Sequence, residues 1–205
     1  KIDCEAQAAL SAHAEMSGQL SGERVASELR RIMCGERLYE VVGLMRITAL
    51  DEHVLGVPLH HEILKFGQAT GSGDTGSGDT GDFGALFQGM GIKAGWLTGL
   101  AVLMPAGSAE KLATRLRVSR AERADLIKLD KGLSDQQMAG LNGPKWPRVA
   151  YYLGPLAAPL YAVQSLRNGT PITAARLMDL KGWVPPNLPI NGADLLSHGV
   201  DNGPA

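Results

Sequence analysis

The chain has 205 residues, of which 44% are apolar, 20% are charged and 5% are aromatic, and its formal net charge at pH 7 is −1. This length is enough to bury a hydrophobic core in one or two domains. The near-neutral charge excludes a general attraction to nucleic acid or to a membrane surface, so any contact with RNA has to come from a local patch.

Composition also indicates the fold class. Ala, Leu, Glu and Arg dominate outside the loops, and strand-like alternation of β-branched residues is almost absent. These features predict an all-α fold, an elongated array of helices interrupted by a flexible Gly/Ser/Asp-rich loop. The longest uncharged stretch, 149–166, contains two prolines and is too short to span a bilayer, so it predicts a buried helix broken by proline.

The first fifty residues predict three helices. The first covers 1–20, and the second follows Ser21, whose side chain can cap a free backbone N–H. Gly35 is placed to end the second helix. The third completes an αα-hairpin. One apolar stripe on each hairpin helix points to the core: Val25, Leu29, Ile32 and Met33 on the first, and Leu38, Val41, Val42, Met45 and Ala49 on the second.

The middle of the chain breaks this pattern. A turn at 56–58 precedes a short helix, and residues 71–82 then read GSGDTGSGDTGD. Small polar residues without apolar partners cannot offset the entropy lost on ordering, so this repeat predicts a flexible linker. The repeat also matches GxGxxG and spells Asp-Thr-Gly twice, but it lacks the flanking strand and the rigid β context that a dinucleotide site or an aspartic protease needs.

Helices return after Trp96. Pro105 ends one, and Ser119 with Glu122 forms a capping box that begins another. A further helix is expected near 171–180 and a short helical turn at 193–197. His60-His61-Glu62 lacks the second histidine of HExxH, so it does not predict a metal site. No catalytic residue or cofactor site is predicted in this chain either. Cys4 and Cys34 lack CxxC spacing, which favours reduced thiols and a cytoplasmic location.

Residues 110–131 form a basic stretch with seven cations and four carboxylates, a local surplus of three positive charges. Such a patch can follow phosphates, although a solvated helix face would look similar. Lys111 and Arg115 are like charges at i, i+4, which a purely structural helix would not favour. The cations are Lys111, Arg115, Arg117, Arg120, Arg123, Lys128 and Lys131.

Several segments resemble the bacterial family of CCA-adding tRNA nucleotidyltransferases and poly(A) polymerases, in the same order along the chain. LSGERV at 20–25 with Glu28-Leu29 is similar to the family's SxERIxxEL helix. LRVSRAER at 116–123 is similar to its RLRLSNAER segment. NGADLL at 191–196, followed by Gly199 and Gly203-Pro204, resembles its terminal TGADLLALGVPPGP, which is the most specific of these matches.

This resemblance implies a tRNA-binding C-terminal portion of an enzyme that adds nucleotides to tRNA 3′ ends. Its catalytic head, with Mg²⁺ and CTP or ATP, would lie upstream, so we expect a fragment truncated at both ends and inactive alone. The implied regions are a neck-like region at 1–62, a linker at 63–95 and a body- and tail-like region at 96–205. No DNA or membrane partner is expected.

The resemblance also assigns roles to individual residues. Neck-bracing roles fall on Glu23, Arg24 and Glu28, with Arg46 a weaker candidate. RNA-binding roles fall on Arg115, Arg117, Arg120, Arg123 and Lys128. Two alternatives stay open: the equivalent part of a poly(A) polymerase, and a non-catalytic helical scaffold without an RNA role.

Overall fold

The computed structural model describes residues 3–65, 86–87, 89 and 92–186, and these residues form helices and turns with no β-strand. The predicted all-α array of helices is therefore confirmed over the described part of the chain. The GSGDT repeat, the predicted turn at 193–197 and the NGADLL segment lie outside it. The helices are α1 Cys4–His13, α2 Gly22–Met33, α3 Leu38–Ile47, α4 Leu50–Leu55, α5 Ile92–Leu103, α6 Ala109–Leu116, α7 Arg120–Lys131, α8 Asp135–Asn142, α9 Trp146–Leu153, α10 Ala157–Arg167 and α11 Ala174–Gly182.

Helix α5 lies at the centre of the array and packs against α2, α7 and α10. Its side chains Trp96, Leu97, Leu100 and Leu103 are all buried. A helix that is apolar on every side is stable only when other helices surround it, which explains its central place. The buried core continues from α2 through α5 to α11, so the N-terminal and C-terminal helices share one hydrophobic interior.

The αα-hairpin of α2 and α3 is present, with one correction to the predicted apolar face of α3. Val25 and Leu29 are buried on α2, as predicted. Helix α3, however, ends at Ile47, and Ala49 adopts the left-handed conformation (φ 55°) that turns the chain into α4. Ala49 therefore lies outside the helix on which its spacing placed it.

Helix ends follow the predicted caps. The Ser21 hydroxyl accepts the Arg24 N–H at 3.4 Å, and Ser119 and Glu122 form the predicted capping box. A second box, Ser134 with Gln137, begins α8 with the equivalent S-x-x-Q signature, although it was not predicted. The uncharged stretch 149–166 is broken as expected, because a 3₁₀ turn at Gly154–Leu156 separates α9 from α10.

The start of α2 lies unusually close to the end of α6. A Cβ atom on Gly22 would lie 2.1 Å from the Arg115 carbonyl oxygen, well inside van der Waals contact. Only glycine permits this approach. The positive end of one helix dipole thus meets the negative end of another, and the contact places the hairpin against α6 and α7.

Candidate nucleic-acid interface

Four cations lie along one exposed face of α7 and are called here the basic stripe: Arg120, Arg123, Lys128 and Lys131. At 100° per residue these positions fall within an arc of about 140° and extend along about 16 Å of the helix. Ala124 lies between them and adds no bulk. Ile127 also falls within this arc and is half-buried, so the four cations face solvent on either side of one apolar residue.

Glu122, an acid of the same helix, turns away from the basic stripe. Its carboxylate accepts a hydrogen bond from Arg30 Nη2 at 2.9 Å and from the Ser119 backbone N–H at 3.0 Å. Partial burial opposes ionisation of Glu122, but these hydrogen bonds outweigh it and lower the pKa below its ordinary value of 4.5. Arg30 also lies over the Trp96 ring, 4.7 Å from its centroid.

Asp130 likewise turns inward, and its side chain is only 7% exposed. Its two oxygens accept the backbone N–H groups of Gly107 and Ala109, each at 3.1 Å, and Arg167 donates to it from α10. The carboxylates of Glu122 and Asp130 thus serve the fold, while the cations of α7 face solvent. Asp125 stays half-buried beside the cations and Arg123 pairs with Glu110, so the exposed surface of the helix keeps part of the positive surplus of the sequence.

Three of the predicted RNA-binding residues have intramolecular partners. Arg115 donates to the carbonyls of Gly18 and Leu20 at 3.2 and 3.1 Å. Arg117 pairs with Glu23 at 3.1 Å, and Arg123 pairs with Glu110 at 2.6 Å. All four of these side chains are more than half exposed. Exposed pairs of this kind contribute about 0–1 kcal/mol, so a phosphate can replace the carboxylate at little cost.

The like charges Lys111 and Arg115 have a structural explanation. Lys111 Nζ donates to the Gly56 carbonyl at 2.5 Å, at the end of α4, while Arg115 reaches the turn before α2. Each cation thus satisfies carbonyl groups at the end of a neighbouring element. Their spacing gives no separate support to RNA binding.

Arg120, Lys128 and Lys131 are the exposed cations of the basic stripe that form no ion pair with any described residue. The opposite charges of Asp125 and Lys128, spaced i, i+3, do not form an ion pair. Two of the predicted contacts, Arg120 and Lys128, are therefore free for an external anion. Lys131 completes the stripe and was noted in the sequence as part of the basic stretch.

The predicted neck-bracing residues divide into two groups. Glu23 joins α2 to the end of α6 through Arg117, and a backbone hydrogen bond together with Arg117 lowers its pKa. Arg46 joins α3 to α4 through Glu52 and Asp51, and the Glu52 hydrogen bond raises its pKa. Both residues connect separate elements.

Arg24 and Glu28 do not connect elements in this way. Glu28 approaches only Arg31 of its own helix, at 3.9 Å. Arg24 is exposed and, with Glu28, borders an apolar groove of about 250 Å³ between the hairpin and α4. Among the described residues, Arg24 has no ion-pair partner.

Sequence inspection missed three polar residues that hold the helices together: Arg30, Asp51 and Arg167. Asp51 is fully buried and accepts the Leu59 N–H at 2.7 Å, which fixes the segment after α4. Arg167 donates to the Ala101 carbonyl at 2.6 Å. The partners Glu122, Leu59 and Ala101 are 92, 8 and 66 residues away in sequence, so no helical spacing identifies these contacts.

Within residues 3–65, 86–87, 89 and 92–186, no cluster of three or more His, Cys, Asp or Glu side chains is arranged to hold a metal ion. The described helices include none whose length and apolarity would allow it to cross a membrane. No protein-family model matches this chain, and no curated protein matches it significantly.

Proposed function

We propose that this chain is the tRNA-binding C-terminal part of a cytoplasmic tRNA nucleotidyltransferase, whose catalytic head adds CCA to tRNA 3′ ends. The observation on which the proposal rests is the basic stripe of α7, where Arg120, Lys128 and Lys131 are exposed and form no ion pair with a described residue, while Glu122 and Asp130 of the same helix turn inward. Phosphate contacts of this kind position a nucleic acid without reading its sequence.

Two further features support this proposal. The family-like segments 20–25 and 116–123 lie together in space, since Glu23 of the first pairs with Arg117 of the second. The basic stripe begins within the second of these segments. Mg²⁺ and CTP or ATP belong to the head in this proposal, and the described residues supply no cluster suited to Mg²⁺, so no catalytic step is assigned to them.

A non-catalytic helical scaffold is the second candidate. It is favoured by the intramolecular partners of Arg115, Arg117 and Arg123, which show that several of the cations stabilise contacts between elements. Within the described residues the two candidates differ in the role of the free cations Arg120, Lys128 and Lys131, for which a scaffold has no use.

Retention of tRNA on a filter at 50 and 200 mM salt separates the two candidates. We expect retention that weakens steeply at the higher salt concentration, because bound phosphates release counterions. Lys128→Ala should weaken binding and reduce the slope of log K against log salt by about 0.7 to 0.9, the value for one phosphate contact.

Arg37→Ala is the matched control, since it also removes one exposed cation, but Arg37 lies at the start of α3 outside the basic stripe and among the described residues pairs with Glu40 alone. It should leave retention and slope unchanged. Retention that does not depend on salt, or an equal effect of both substitutions, would exclude the basic stripe and favour the scaffold.

The reaction has a separate test. Coding sequence upstream of Lys1 should encode a carboxylate pair for Mg²⁺ and a helix that selects CTP or ATP. The full-length protein, incubated with tRNA lacking its 3′ end, should then add three nucleotides. A long adenylate tail would instead assign the chain to a poly(A) polymerase.

A further inference from the structure

A second surface of the molecule, remote in sequence from the basic stripe, combines exposed aromatic rings with cations. Trp146 and Trp183 contact edge-to-face with their ring centroids 6.4 Å apart, and Tyr151 meets Trp183 at 6.5 Å. Tyr152 lies against Tyr151 at 5.7 Å. These are four of the ten aromatic residues in the chain, so their concentration in one cluster is not explained by composition.

Trp146 and Trp183 pack partly against the core, but the two tyrosines of the cluster do not. Tyr151 is 56% exposed and Tyr152 is 75% exposed, although each ring has enough apolar surface to stabilise a folded protein when buried. Single exposed aromatic residues are common, but a group of adjacent ones is typical of a surface that binds a ligand or a partner molecule.

The rings border an open recess of about 300 Å³, at the lower end of the range for ligand sites. We call it the aromatic recess. Residues of α9 form one side, where the spacing i, i+3, i+4 puts Arg148, Tyr151 and Tyr152 on a shared face. The segment after α11 forms the other side. The lining residues are Pro147, Arg148, Tyr151, Tyr152, Trp183 and Pro186.

The charge around the aromatic recess is mostly positive. Residues 143–186 include five cations and a single acid, Asp179. That acid is paired with Arg176, which lies over the Trp146 ring at 5.1 Å and helps to hold it in place. Lys145, Arg148 and Lys181 are exposed and form no ion pair with a described residue.

Trp183 extends the surface in a second direction. Besides the aromatic recess, it lines an adjoining cavity of about 480 Å³ that Lys181 and Pro155 also border. An elongated ligand can therefore follow the surface from Tyr152 past Trp183 to Lys181.

We propose that the aromatic recess binds single-stranded nucleic acid, with unpaired bases stacking on Tyr152, Tyr151 and Trp183 and with phosphates meeting Arg148 and Lys181. Stacking rings combined with surrounding cations are the elements by which proteins bind single strands without sequence preference. A proline-rich peptide could also use aromatic rings, but it has no need for a surround in which the unpaired charges are all positive. The proposal does not depend on the basic stripe or on the identity of the catalytic head.

Fluorescence anisotropy of a fluorescein-labelled twelve-nucleotide oligo(U) with the full chain tests the proposal, since this strand forms no stable secondary structure. Tyr152→Ala should weaken binding about fivefold or more, the change equivalent to about 1 kcal/mol for one stacked base. Tyr152→Phe keeps the ring and should bind as the unaltered chain does. Arg148→Ala should reduce the salt slope by about 0.7, whereas Tyr152→Ala should leave the slope unchanged.

Met178→Ala is the control, because Met178 is 66% exposed but does not line the recess. It should have no effect on oligo(U) binding. Because Tyr152 is exposed, its variants should fold as the unaltered chain does, and far-ultraviolet circular dichroism checks this directly. A duplex of the same length should bind more weakly than oligo(U).

The proposal fails if oligo(U) does not bind, if Tyr152→Ala binds as well as the unaltered chain, or if a proline-rich peptide binds in the recess and oligo(U) does not. It also fails if Lys128→Ala, rather than Tyr152→Ala, abolishes oligo(U) binding. Salt-sensitive tRNA retention that depends on Lys128 would survive each of these outcomes, so the two proposals fail independently.

Discussion

The Asp130 carboxylate and the Arg167 guanidinium pair at 3.2 Å and together complete the ends of two helices to which neither belongs. Asp130, on α7, accepts N–H groups at the start of α6, where Ser108 provides no side-chain cap. Arg167, on α10, donates to the Ala101 carbonyl near the end of α5. An anion thus lies at a positive helix end and a cation at a negative one. Four helices meet through this one pair.

Arg167→Met should strongly destabilise the protein. The substitution keeps most of the side-chain volume but leaves the α5 carbonyls without their donor and the buried Asp130 carboxylate without its cation, so that Asp130 keeps only the N–H groups of Gly107 and Ala109. Removing one member of a buried pair costs about 3 to 5 kcal/mol. Urea unfolding measures the change, and Arg37→Met at an exposed pair should stay within about 0.5 kcal/mol. Equal effects of the two substitutions would contradict the assigned role of Arg167.

Gly22→Ala should destabilise the protein, although alanine usually favours a helix over glycine. The new methyl group would lie 2.1 Å from the Arg115 carbonyl, so α2 and α6 have to separate. Overpacking of this kind costs about 1 to 3 kcal/mol.

Gly182→Ala is the matched control for this substitution, because it lies in α11 and a Cβ there meets no atom within 4 Å. It should be neutral or slightly stabilising in the same urea unfolding experiment. A neutral Gly22→Ala would show that the two helix ends are not in tight contact.

Stability should decrease in acid partly through Glu122. Its pKa is lowered in the folded protein because the hydrogen bonds from Arg30 and Ser119 outweigh its partial burial. The unfolded chain therefore binds the proton more readily than the folded protein does, and the Glu122 contribution is lost as pH falls below 4.5 and through the folded pKa.

Urea midpoints between pH 7 and pH 3 measure this contribution. Glu122→Gln keeps the capping geometry but cannot ionise, so the variant should lose less stability over this range than the unaltered protein does. Parallel pH profiles for the two proteins would exclude Glu122 as a source of acid sensitivity.

The two thiols should differ in reactivity. Cys4 is exposed, whereas partial burial of Cys34 raises the pKa of its thiol and reduces the thiolate that reacts. Iodoacetamide at pH 8 should therefore modify Cys4 first, as followed by mass spectrometry of proteolytic peptides. Urea should equalise the two rates. Faster modification of Cys34 in the native protein would be inconsistent with its position between α2 and α3.

The sequence by itself determined the local structure. Apolar periodicity, capping residues and the proline break at 154–155 predict the helices α2, α7, α9 and α10. They can do so because these signals act over three or four residues of one chain segment. The hairpin and the fold class followed from the same signals. The basic stretch was also visible, since charge can be counted along the chain.

Only the tertiary structure decided which charges remain free. Glu122 and Asp130 look like surface acids in the sequence, yet they turn toward Arg30 and Arg167, residues 92 and 37 positions away. Arg115 looks like a ligand for phosphate, yet it closes a turn 95 residues away. The aromatic recess likewise joins α9 to Trp183, beyond α11. Such pairings depend on how the helices pack, and packing depends on the whole apolar surface of the chain rather than on any local spacing.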